Sequence, residues 1–301
     1  MTNCDGVVLS IEWHCFCKAC SAQKRIVPMK KIVILRRTIV LAFLAIMVWS
    51  CSKVPLTGRR QIRLMPESTL IQASSLSYQQ VLDTANIIRS GAQAEMVKRV
   101  GQRIATAVEA YLKQEGLESR VEGFQWEFNL INDNAVNAWC MSGGKVAFYT
   151  GIMPICKDET GVAVVMGHEI AHAIARHGNE RVSQSLVVQG IATGVDFGLM
   201  VKQQPETARR VASMAAGVGG QVGMLAFSRK HESESDEMGI MFMAMAGYDP
   251  SEAPKFWDRM NQIGGDRPPL LLSTHPHPDT RQEDLRKLLP KAMEIYNQNK
   301  R

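Results

Sequence analysis

Apolar positions along the chain recur at helical spacing more often than at strand spacing. Val81, Leu82, Ala85 and Ile88, then Met96, Val97, Val100, Ile104, Ala105 and Val108, return every three or four residues. They predict helix over Ser68–Tyr111, divided in two at Ser90-Gly91. From Val121 the period changes to two. Phe124, Trp126, Phe128 and Leu130 alternate with Gln125, Glu127 and Asn129, as on a strand with one buried face over Val121–Leu130. Asn132-Asp133-Asn134 is a turn. Lys145–Thr150 reads as a second short strand after a bend at Gly143-Gly144. An apolar helix follows from Glu159, and Arg176-His177-Gly178 reads as its C-terminal signal, with His177 an end-of-helix residue rather than a ligand. Arg181–Met200 and Ala208–Phe227 are apolar helical stretches around a polar break at Gln203–Thr207, and Gly190, Gly194 and Gly198, four apart, allow close helix packing. Met238–Ala246, a helix starting at Tyr248-Asp249-Pro250-Ser251, and Gln282–Asn299 complete the helices, with a proline-rich loop over Asp266–Pro278. The pattern predicts an α+β domain, mainly helical, with a small mixed sheet.

The first fifty residues follow another rule. Met29–Arg37 is basic, Thr38–Trp49 is an uncharged apolar run of twelve residues, and Val48-Trp49-Ser50-Cys51 ends it. That order is a signal peptide over 29–50. Its close resembles a bacterial lipobox, which implies cleavage before Cys51 and lipidation of that residue. A run of twelve is too short to cross roughly 30 Å of hydrocarbon. The expected setting is therefore the bacterial cell envelope, on a lipoprotein facing the periplasm, at the outer membrane. Secretory signals sit at the N-terminus, so residues 1–28 are read as a start-site artefact, although they carry Cys4, Cys15, Cys17 and Cys20. Residues 51–66 are read as a lipid-anchored tether and 67–301 as the catalytic domain. Of 35 basic and 29 acidic residues in the 301-residue chain, residues 1–50 hold seven and two. The remainder is close to neutral, so the basic net charge belongs to the leader and no nucleic-acid partner is expected. Beyond the anchor only Cys140 and Cys156 remain, free to pair or to stay as two thiols.

The chemistry gathers at Gly167-His168-Glu169-Ile170-Ala171-His172. On a helix, His168 and His172 share a face one turn apart and can point two imidazoles at one ion. Glu169 lies about 100° round the same turn, within reach of a water on that ion. This is the H-E-x-x-H arrangement of zinc hydrolases, two ligands and a general base, for one Zn2+ per chain. A catalytic site needs a third protein ligand, and the acidic cluster Ser228–Gly239 carries candidates into the core. Glu232 and Asp236 share a helical face, but periodicity does not separate Glu232 from His231 or Glu234.

His168–His172, followed by Ser228-Arg229, Glu232, Glu234 and Asp236, then Thr274-His275-Pro276 and Arg281, resembles peptidase family M48, the family of the CAAX prenyl proteases. The likeness runs from about Pro55 to Arg281 and is nearest to the family's periplasmic lipoprotein members. It implies a gluzincin-type metallopeptidase fold, with Glu232 as third ligand and Asp236 as its helical partner supporting a ligand histidine. His275 becomes a possible fourth ligand that keeps the site closed. Asn137-Ala138 and Gly143-Gly144 also look like the family's edge strand. Lys145, Val146, Ala147, Phe148 and Tyr149, the strand running toward the active helix, are the expected substrate-pairing strand. Ser142 and Ser235 depart from the family, where proline and alanine are usual. The implied activity is hydrolysis of peptide bonds in unfolded or misassembled envelope proteins, as protein quality control. The alternative is a lipid-anchored chaperone or scaffold whose zinc is closed by His275.

Overall fold

The computed structural model describes residues 51–201, 203, 206, 228–263, 269–275 and 280–300. The expected signal peptide, the cysteines among residues 1–28, the stretch 208–227 and His277 lie outside the described residues. Contacts divide the chain after Ile46, and the second unit, Met47–Arg301, holds every described residue.

Strands β1 (Cys51–Lys53) and β2 (Arg60–Ile62) pair antiparallel as a hairpin. The expected tether is therefore part of the folded domain. Its strands are too short and polar to show in an apolar pattern, and polar contacts hold them. Gln61 is buried and donates to the Ala175 carbonyl at 2.7 Å, and Arg120 donates to the carbonyl of Lys53.

Helix α1 (Glu67–Thr84) leads to the two-residue strand β3 (Ile87–Ile88), and α2 spans Ala92–Gln114. The break between the helices falls earlier than Ser90-Gly91 because Ile87 and Ile88 pair with Ile131 and Leu130. Val97, Val100, Ile104 and Val108 of α2 are buried along one stripe. The alternation expected from Val121 becomes strand only at β4 (Glu127–Ile131), preceded by a short 3-10 turn at Glu118–Arg120.

Strands β5 (Ala138–Met141) and β6 (Lys145–Tyr149) complete a four-stranded sheet in the order β3-β4-β6-β5. β4 and β6 are parallel and the other pairs antiparallel, so the sheet is mixed. This corrects the expected substrate strand. Lys145–Tyr149 is paired on both sides, with β4 and β5, and has no free backbone edge. Its neighbour β5 is one of the two rim strands of this sheet, β3 being the other, and it packs against the active helix.

A short helix α3 (Met153–Cys156) precedes α4 (Glu159–Ile174). Asp158 caps α4, its carboxylate accepting from the amides of Thr160 and Gly161 at 2.9 and 3.0 Å. Nearly every residue of α4 is buried, in keeping with its apolar composition. α4 stops at Ile174, before the expected signal at Arg176-His177-Gly178. Arg176 takes a left-handed backbone, φ 58°, and its guanidinium is fixed by the Ser119 carbonyl at 2.7 Å. His177 then opens α5 (His177–Val201) instead of closing α4. No described residue lies near a Cβ placed on Gly190 or Gly194.

Residues 228–245 form helix α6. α7 (Glu252–Gln262), the short α8 (Leu270–Thr274) inside the expected loop, and α9 (Arg281–Asn299) follow. Among the described residues, no helix is long and apolar enough to cross a membrane. Cys140 and Cys156 are free thiols.

Candidate metal centre

Two helices meet back to back at a pair of glycines. A Cβ on Gly167 of α4 would lie 2.7 Å from the Gly239 carbonyl oxygen, and one on Gly239 of α6 would lie 2.8 Å from the His168 amide nitrogen. Without side chains between them, the backbones approach closely enough for His168 and His172 to face Glu232.

His168 Nε2 lies 3.1 Å from Glu232 Oε2 and 3.1 Å from His172 Nε2, while His172 Nε2 is 3.4 Å from Glu232 Oε1. His275, just after α8, brings Nδ1 to 3.1 Å from Glu232 Oε2. One donor atom from each of His168, His172, Glu232 and His275 lies within 4.8 Å of the others, and all four residues are buried. The set fits a four-coordinate divalent ion. Bonds of about 2.0–2.1 Å at tetrahedral angles separate neighbouring donors by about 3.3 Å. Glu169, one position along from His168, is buried with Oε1 lacking a hydrogen-bond partner, 3.7 Å from His275 Nε2. A buried orphan oxygen beside four converging donors suits a group that will receive a proton.

The electrostatics separate the two histidines. Burial disfavours a charged ring on His168, but the carboxylates of Asp236 and Glu232 outweigh it and raise its pKa to about 9. Burial dominates at His172 and holds its ring neutral, well below the usual histidine range. Burial pushes Glu232 up, but His172, His168 and His275 more than offset it, so the carboxylate stays ionised. At Glu169, burial wins and lifts the carboxyl above its ordinary value, the direction that suits a general base working near neutral pH.

Each histidine is held from behind. Asp236 Oδ1 lies 2.9 Å from His168 Nδ1. Arg281 holds that carboxylate from Nε at 2.5 Å and from its terminal nitrogen at 2.9 Å. The guanidinium carbon itself sits over Trp257, 3.6 Å from the ring centre. His172 Nδ1 meets Nδ1 of His177 at 2.9 Å, and His177 Nε2 meets Glu234 at 2.9 Å. Burial, with His231 and Arg59 nearby, keeps the His177 ring neutral.

His168, Glu169, His172, Glu232, Asp236 and His275, all named from the sequence, thus come together. Lys145–Tyr149 does not offer its backbone, and the side chain of Cys51 lies outside the description. His177 and Trp257 were missed. His177 follows His172 by five positions, and its place beside a glycine made it look like a helix end.

Two imidazoles one turn apart and a carboxylate from a second helix define the metallopeptidase class of site. The chain belongs to peptidase family M48, whose model matches residues 92–289. It is 35% identical over 190 residues to the mitochondrial metalloendopeptidase OMA1 of Arabidopsis thaliana, covering 62% of this chain and 36% of that one. It is 35% identical over 201 residues to OMA1 of Saccharomyces cerevisiae, covering 64% and 55%. The beta-barrel assembly-enhancing protease of Escherichia coli K12 is 32% identical over 168 residues, covering 54% and 34%. The chain spans about a third to a little over half the length of these relatives. The family, the mainly helical fold with a small mixed sheet, and metal-dependent peptidase chemistry agree with the sequence reading.

Proposed function

We propose that the chain is a zinc-dependent endopeptidase, with His168, His172 and Glu232 as its metal ligands. The observation that carries this reading is the convergence of these donors, from two helices, on one point beside the orphaned Glu169 oxygen. Zinc held there would polarise the scissile carbonyl and lower the pKa of a bound water toward about 7. Glu169 takes the proton from the attacking water and passes it to the leaving amine. Asp236 fixes the ring of His168, and Arg281 fixes Asp236. An extended peptide pairs with the rim strand β5 rather than with β6, because β5 has an unpaired edge and packs against the helix that carries His168 and His172.

His275 offers a fourth donor at the position a water would need, and so gates the site. A closed four-donor site is inert, so opening requires His275 to withdraw. Unfolded or unassembled envelope proteins are the proposed substrates. The relatives named for metalloendopeptidase activity and for beta-barrel assembly support a quality-control role. Signal peptide 29–50 and lipidated Cys51 would place the enzyme on the periplasmic side of the outer membrane.

Glu169→Gln tests the catalytic assignment. Bound zinc should stay near one per chain while cleavage of casein disappears, and retained cleavage would remove Glu169 from its role. Glu232→Ala should lose zinc. His275→Ala should raise cleavage. Silence in both wild type and His275→Ala would favour the scaffold with a closed zinc site, the reading supported by the His275 contact.

A further inference from the structure

We propose that Arg59, Glu234 and His177 form a positioning relay that fixes the ring of His172, so that the N-terminal hairpin sets how tightly the site holds its metal. The proposal rests on the zinc reading above and adds to it residues that touch no metal.

The relay can be followed atom by atom. Arg59 sits at the end of the turn between β1 and β2. Its Nε donates to Glu234 Oε2 at 2.9 Å, and Thr57 Oγ1, from the same turn, donates to Glu234 Oε1 at 2.5 Å. With Arg59 and Thr57 donating to both its oxygens, Glu234 serves as an acceptor, so the contact at 2.9 Å to His177 Nε2 requires a proton on that nitrogen. With that proton on Nε2, His177 presents Nδ1 as the acceptor. Across the 2.9 Å contact, His172 Nδ1 must donate. With its proton on Nδ1, His172 turns a bare Nε2 lone pair toward His168, Glu232 and the ion. The sequence of donors thus selects the one tautomer of His172 able to bind metal there.

Three further interactions hold the relay in place. The ring of His177 stacks on His231, with centroids 4.2 Å apart and planes at 15°. Ser235 Oγ lies 3.3 Å from His177 Nδ1 and can share that acceptor. Arg59 also forks onto Glu180, donating at 2.9 and 2.7 Å, which pins the start of α5 and hence the backbone that carries His177. His168 has a carboxylate directly behind it, whereas His172 has a second imidazole interposed. The orientation of His172 therefore depends on a brace two side chains away.

The test is zinc affinity of the purified full-length chain, read by competition with a chromophoric chelator, beside urea unfolding of each protein. His177→Ala should bind zinc about 10- to 100-fold more weakly, the usual loss when a group behind a metal ligand is removed. His177→Gln should recover most of it, because its amide can accept from His172 and donate to Glu234. Arg59→Gln should weaken zinc binding although it touches no ligand. Stability losses alike in both His177 variants, with zinc affinity within twofold of wild type, would overturn the relay. If His177→Ala does not fold, unchanged zinc affinity in Arg59→Gln overturns it equally. A wild-type chain that keeps no zinc would defeat the zinc reading, and the relay with it. Normal wild-type binding with unaffected variants would defeat the relay alone.

Discussion

Gly239→Ala tests whether the metal centre depends on the close approach of α4 and α6. The added methyl would lie 2.8 Å from the His168 amide nitrogen and 3.0 Å from the Gly167 carbonyl carbon and the His168 Cα, all backbone atoms. No side chain can swing aside to relieve this. Unstrained carbon contacts need about 3.5 Å, so the helices must part by roughly 0.5–0.7 Å. Overpacking of that size costs about 1–3 kcal/mol. The metal centre should suffer more than the fold does. Glu232 lies on α6 two turns from Gly239, while its partners are on α4, and coordination distances tolerate only about 0.2 Å. The assay pairs urea unfolding in excess chelator with a separate zinc titration. The expected result is a metal-free protein 1–3 kcal/mol less stable, and zinc binding weakened at least tenfold. Unchanged stability, or zinc binding within threefold of wild type, would refute the argument that this glycine pair sets the ligand geometry.

Other consequences can be measured independently. Arg281→Ala leaves Asp236 buried without its guanidinium partner and should cost about 3–5 kcal/mol in urea unfolding. Burial alone would raise the carboxyl of Glu180, but hydrogen bonds from His231 and Arg59 hold its pKa at about 2. A lowered carboxylate stabilises the fold above its unfolded pKa of about 4.5 and loses that contribution as pH falls toward 2, roughly 3 kcal/mol in all. Wild-type stability should therefore fall through this window, and Glu180→Gln should show a flatter profile in denaturation at pH 5 and pH 3. In the metal-free protein His168 keeps a proton up to pH about 9. Zinc must displace it, so affinity should tighten about tenfold per pH unit between 7 and 9, and a flat profile by chelator competition would count against His168 as a ligand. Gly178→Ala has room, with the nearest atom to its Cβ at 3.8 Å, and should leave unfolding unchanged or gain up to about 1 kcal/mol.

The active helix was legible because its chemistry is local. His168 and His172 are four apart, and the i, i+4 rule alone puts them on one face. The partner carboxylate was not. His231, Glu232 and Glu234 are all buried, so hydrophobic periodicity could not choose among them, and the fold uses all three. Glu232 faces the two imidazoles, Glu234 holds His177, and His231 meets Glu180 at 3.0 Å. Family resemblance, not spacing, selected Glu232. Strand order was equally hidden. Alternation marks a strand but says nothing of its neighbours, so β6 was taken for a rim when β5 is one. The hairpin escaped because Arg59 and Gln61 stabilise it through polar contacts that no apolar pattern reports.

Arg281 and His275 sit near the far end of the chain, whereas Glu169 lies near its middle. A ribosome adding about 5–20 residues per second would release His172 roughly 5–20 s before Arg281. Until that guanidinium reaches Trp257 and Asp236, the carboxylate behind His168 lacks its cation partner. The cation behind the brace of His168 is thus the last part of that contact chain that synthesis supplies.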